Sequence, residues 1–110
     1  MSGITIENGI ARGTLRQGIT IGGVAHRDFE MRECALGDML DAEKEAPVGQ
    51  ALAYTVELVC RQLVRIGEHD GPITAAQLRK LPPDDWETLQ EARLKLADAA
   101  KNGLSDSADC

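Results

Sequence analysis

Apolar residues in this chain follow two rhythms. Leu15, Ile19 and Ile21 alternate with other residues, and so do Ala25, Phe29 and Met31. Alternation puts one face of a strand inside and the other in water. Gly22-Gly23 lies between the runs, which predicts an antiparallel hairpin over 13–33. A two-residue turn would pair Ile21 with Val24 and direct Phe29 and Met31 away from Ile19. All six residues share a face only if the connection has three residues, or if a bulge makes the same correction. The opposite face, with Arg16, His26, Asp28, Glu30 and Arg32, is expected to be wet.

After residue 35 the spacing changes to threes and fours. Residues 36–46 predict a first helix, with Leu36, Met39 and Leu40 on one stripe and Asp38 and Asp41 in its early turns. Pro47 punctuates. Residues 48–66 predict the most apolar helix: Val48, Leu52, Thr55, Val56, Val59, Leu63 and Ile66 keep helical spacing, and Leu58, Cys60 and Val64 widen the arc. A helix apolar on more than one side is either central to a core or gives its second side to a partner. Gly67 is expected to end it, with 68–72 a polar turn. Thr74 and Gln77 form a capping box for a short helix over 75–81. Pro82 stops that helix and Pro83 opens a longer one over 83–102. Trp86, Leu89, Arg93, Leu96 and Ala100 form its inner stripe, with Gly103 as C-cap and Leu104 folding back. Residues 105–110 read as a polar tail. In 1–12, Asn8-Gly9 between short β-prone runs marks an accessory hairpin or arm. The expected fold is α+β: a single domain over 13–104, with an N-terminal antiparallel β-hairpin followed by about four helices, helix-dominated.

Charge narrows the function. Eighteen acidic against 12 basic residues leave −6, which opposes nucleic acid and anionic membranes. The helix pair around Pro82 has the outline of a helix-turn-helix, but Asp84, Asp85, Glu87 and Glu91 would meet phosphates first. With only Phe29, Tyr54 and Trp86 aromatic, stacking on single strands is disfavoured too. No stretch approaches the ~20 apolar residues of a membrane span, and no secretory signal is visible, so a soluble intracellular protein is expected.

Candidate chemistry is sparse. Cys34, Cys60 and Cys110 have no zinc spacing and read as free thiols. His26 and His69 complete no cluster. The carboxylates of 38–45 lack a calcium-loop pattern, and no glycine loop suits a nucleotide. No catalytic residue, cofactor or metal is therefore expected, and the residues alone lead to a small acidic binding domain. The candidate partner face is the broad arc of Leu52, Val56, Leu58, Val59, Cys60, Leu63 and Val64, with Leu58, Cys60 and Val64 outermost.

Three pieces, in order, carry a family likeness. One is the glycine turn leading into a strand that ends Met31-Arg32-Glu33. Another is Gly37-Asp38 followed by Ala42-Glu43. The third is Ile73-Thr74, Leu78, Leu81, Asp85 and Leu89. Over residues 13–100 the chain resembles the tail assembly chaperones of Mu-like and related long-tailed phages. It departs from the expected pattern at Ala35-Leu36, and 1–12 have no counterpart. The resemblance implies a non-enzymatic protein that binds the tape measure protein in the host cytoplasm. Tail tube protein would displace it, and it would be absent from the finished virion. It also implies that homo-oligomers can form. The alternative is a small phage or bacterial adaptor or inhibitor that binds a host protein.

Overall fold

The computed structural model describes residues 3–46, 49–71 and 73–102. Val48, Gly103, the tail 105–110 and Cys110 lie outside these, as do the expectations placed on them.

Strands β1 (Thr5–Glu7), β2 (Ile10–Ile21) and β3 (Val24–Arg32) run in succession. Helices α1 (Leu36–Glu45) and α2 (Ala51–Gln62) follow, then β4 (Leu63–Ile66) and β5 (His69–Asp70), and last α3 (Ala75–Leu78) and α4 (Pro83–Asn102). The strands form one antiparallel sheet in the order β1-β2-β3-β4-β5. Strand neighbours in space are neighbours in sequence, and α1–α2 is an arm inserted between β3 and β4.

This overturns the expectation of a lone hairpin under a helix-dominated body. The fold is α+β, built on a five-stranded sheet. Two segments account for the difference. Residues 5–12 are part of the sheet: Asn8 and Gly9 both have positive φ (55° and 77°) and form a tight turn that pairs Glu7 with Ile10. The expected helix over 48–66 stops at Gln62, and Leu63–Ile66 is strand. Leu63, Val64 and Ile66 keep pace with the preceding helical spacing, but the open edge of β3 offers them hydrogen-bond partners. Phe29 pairs with Ile66 and Met31 with Leu63.

The β2–β3 hairpin makes its correction with a bulge. Gly22 and Gly23 form a two-residue turn, both with positive φ, and Ile21 pairs with Val24. Below Ile19↔His26 the register jumps to Thr14↔Asp28, so residues 15–18 stand opposite Arg27. Three extra residues reverse the parity, and Leu15, Ile19, Phe29 and Met31 are all buried. Burial fades towards the tip, where Ile21 is half-buried and Ala25 exposed. Gly18 in the bulge is obligatory: its φ is +87°, and a Cβ there would lie 2.3 Å from the His26 carbonyl oxygen.

Helix α4 covers the apolar face with Leu89, Ala92 and Leu96, joined by Leu78 of α3 and by Val59 and Cys60 of α2. The opposite face is polar. A row crosses all five strands from Thr5 through Arg12, Glu30 and Arg65 to Asp70, and its four charged members alternate in sign. Arg12–Glu30 (3.3 Å) and Arg65–Asp70 (3.6 Å) are ion pairs within it. Among the described residues no helix is long and apolar enough to cross a membrane.

Candidate partner-binding surface

The bulge of β2 aims three consecutive amides at one point. The carboxylate of Asp85, in the first turn of α4, accepts from the N–H groups of Arg16 (2.6 Å), Gln17 (2.8 Å) and Gly18 (3.1 Å). Asp85 is 1% exposed. Such a buried carboxylate is tolerable because each of its two oxygens meets a donor. Outside it, the Arg16 guanidinium pairs with Asp84 and holds that carboxyl below the usual carboxylate range, chiefly through their hydrogen bond. Together the two aspartates fasten the start of α4 to the sheet.

Arg32, at the end of β3, fastens the arm. Its Nη1 and Nη2 donate to the two oxygens of Asp38 at 2.7 and 2.8 Å. Nη2 also donates to the Arg61 carbonyl at 2.8 Å, at the far end of α2. Asp38 accepts from the Ala35 amide (2.9 Å), and Gln62 donates through Nε2 to the Arg32 carbonyl (3.0 Å). The hydrogen bond with Arg32 is the largest influence on Asp38 and holds its carboxyl below its ordinary value.

This fastening sets the orientation of α1. Asp38 and Ala42, four residues apart, face inward. Leu36 and Leu40 therefore lie on the opposite side of the helix, 65% and 54% exposed. Burying a leucine is worth about 1.5–3 kcal/mol, so α1 forgoes that gain twice. The helix is apolar side out. Glu43 follows Leu40 by three residues on the same side, and Asp41 and Glu45 are also exposed. Lys44 lies 3.9 Å from Asp41; Glu43 and Glu45 make no ion pair among the described residues.

Helix α2 enters the core progressively. Along one stripe Leu52 is 66% exposed, Val56 half-buried and Val59 fully buried. The expected partner arc is corrected accordingly. Leu58, Val59, Cys60 and Leu63 are interior, Val64 is half-buried on β4, and only Leu52 of the seven is openly exposed. Leu58 and Cys60, expected outermost, are enclosed as α2 packs between α1 and α3. A charge at Leu58 would test folding rather than binding. Cys60 retains one relation to the surface: it lies under a groove of about 480 Å³ with Ile73 and Ala75, rimmed by Glu45, Glu57 and Arg61. Burial pushes its thiol up to about 12, so it is a free but unreactive cysteine. Cys34 is in a disulfide, which corrects the reading of it as a free thiol.

The expected stripe of Leu36, Met39 and Leu40 did not say which side of α1 would face the core. A signal was present: Asp38 and Ala42 lie opposite Leu36 and Leu40, and Arg32 six residues earlier is a partner for Asp38. No group of three or more His, Cys, Asp or Glu converges as a metal site among the described residues. A cleft of about 420 Å³ over the polar sheet face is lined by Arg12, Thr14, Asp28, Glu30 and Arg65, already engaged with one another or with nearby strand residues.

The family model described as tail assembly protein gp41 matches residues 15–107. The Mu-like prophage FluMu protein gp41 of Haemophilus influenzae is 32% identical, over 86% of this chain and 88% of that protein. The probable tail assembly protein gp41 of Escherichia phage Mu is 34% identical over 59% of this chain and 53% of its own length. The probable tail assembly protein FS-gp41 of the same phage gives the same identity over 40% of its length. No solved structure matches significantly.

Proposed function

The chain belongs to the tail assembly protein gp41 family of Mu-like phages, and from that premise we propose that it is a non-enzymatic chaperone of tail assembly that holds the tape measure protein. It acts in the host cytoplasm and is released as tail tube protein polymerises, so the finished virion lacks it. The observation that supports this reading is the inverted α1, with Leu36 and Leu40 in solvent and Asp38 inside. A long apolar helical client needs an apolar surface to lie on, and that surface must be carried by a soluble body. The −6 charge supplies the solubility.

The test is recovery of partners from cells in which the phage genes are induced. Tagged chain should bring down the tape measure protein, and mass spectrometry of purified virions should find none of the chain. Recovery of a single host enzyme in its place would overturn the reading in favour of an adaptor or inhibitor.

A further inference from the structure

One edge of the sheet borders a groove instead of a strand. β1 pairs with β2 only over residues 10–12, so beyond them the outer edge of β2 has no neighbouring strand among the described residues. The two-residue turn at Gly22-Gly23 makes Ile21 and Val24 a hydrogen-bonded pair. Alternation then turns the N–H and C=O of Thr20, which lies opposite Ala25, away from β3. Thr20 lines a groove of about 510 Å³ together with Ile19, Ala76, Gln77, Lys80 and Leu81. Ile19, Ala76 and Leu81 are its apolar part, and no carboxylate lines it. The Gln77 amide accepts from the Thr74 N–H through its oxygen (2.9 Å), which leaves its NH2 group for a ligand. Lys44 and Lys95 have carboxylate partners, whereas Lys80 is exposed and has none among the described residues. At the bulge end of the groove Asp84 and Asp85 are already engaged, by the Arg16 guanidinium and by the amides of residues 16–18. In a chain of net charge −6 this groove is therefore cationic and rich in donors. A free strand edge takes an extended chain, and an unpaired ammonium beside it takes an acid. A second copy docked by the same edge would turn two Lys80 side chains towards each other. We propose that the groove between β2 and α3 docks an extended segment of a partner protein by strand addition at Thr20, and that Lys80 and Gln77 select an acidic side chain on it.

This groove is separate from the exposed leucines of α1, and its role stands without the chaperone reading. The probes are synthetic peptides of about six residues, the length of an ordinary strand, rich in Val and Thr. One carries aspartates on one face, and a second carries lysines at the same positions. Two further copies of the aspartate peptide are N-methylated, each along one backbone edge. Binding is followed by NMR through the amide signals of the full chain. The aspartate peptide is expected to bind and to shift the Thr20 amide, with the lysine peptide at least tenfold weaker. Methylation of one edge should abolish binding, and methylation of the other should be tolerated, since a strand pairs through one edge only. Lys80→Glu should reverse the preference between the aspartate and lysine peptides. Lys80 is exposed, and an unchanged melting curve verifies that the variant folds. The proposal is overturned if the aspartate peptide leaves the Thr20 amide unmoved, if both peptides bind alike, or if Lys80→Glu binds unchanged. Equal binding of the two methylated peptides would exclude strand addition. Acetate shifting the same signals as strongly as the peptide would reduce the groove to an anion site and overturn the proposal. A Thr20 signal that moves with protein concentration alone would assign the edge to a second copy and overturn it as well.

Discussion

Helices α1 and α4 begin alike. Each carries an aspartate at its third residue, Asp38 and Asp85, and each aspartate reaches a strand. Beyond that point they diverge. Asp85 fastens α4 to the backbone of β2, and Leu89, Ala92 and Leu96 then bury themselves along the sheet. Asp38 fastens α1 to one side chain, Arg32, and the leucines face water. No residue of α1 belongs to the main core cluster. The difference teaches that a polar anchor can determine which side of a helix the hydrophobic effect acts on. Where anchor and apolar stripe share a side, a core results; where they oppose, a surface is left for something else.

The sharpest way to break this contrast is Asp85→Ala. Three amides lose their acceptor, each loss costing about 1–3 kcal/mol, so urea denaturation should report a loss of about 4 kcal/mol or more. Asp85→Asn, which keeps an acceptor, should cost about half as much. A near-neutral Asp85→Ala would refute the idea that the carboxylate holds α4. Leu89→Ala should follow at about 3 kcal/mol, the usual range for a buried leucine. Asp38→Asn should cost about 2 kcal/mol, as expected of a hydrogen bond to a charged group. Its effect should be local: amide exchange and alkylation of Cys60 accelerate in the arm, while β2 and α4 stay protected.

Acid offers a gentler version of the same test. The folded-state carboxyl of Asp38 lies below its unfolded value of about 3.9. Its stabilisation is therefore present above that value and fades as pH falls through the folded one. Exchange in α1 should rise below about pH 4 in the wild type and be flatter in Asp38→Asn. Smallest of all, Leu40→Ser should change stability by no more than about 0.5 kcal/mol, since it removes an exposed side chain. A loss as large as that of Leu89→Ala would mean that α1 is packed after all.

Local signals in the sequence located most elements. The capping box at Thr74 forms as drawn, with Gln77 N–H donating to Thr74 Oγ1 at 3.2 Å and Gln77 Oε1 accepting from the Thr74 amide at 2.9 Å. Parity called for either a three-residue turn or a bulge in the hairpin, and β2 carries the bulge. What escaped was set by distant partners. Residues 63–66 are strand because β3 has an edge to fill, and no local periodicity records that edge. Residues 5–7 are strand because β2 extends back to Ile10. The apolar arc of α2 was legible, but which of its sides α1 and α3 would cover was not. Hence Leu58 was expected at the surface, and the stripe of Leu36, Met39 and Leu40 carried no sign of which way it would face.

The Asp85 clamp also bears on the order of events during synthesis. Its carboxylate lies 67–69 positions along the chain from the amides it binds. Until the ribosome has released the last helix, the kink in the second strand has no acceptor, and the sheet has no lid over its greasy side. Closing so long a loop is an entropic toll met in one step, which slows folding and makes it all-or-none. A nascent chain halted before that helix would therefore stay sticky and unfinished, itself in need of a chaperone.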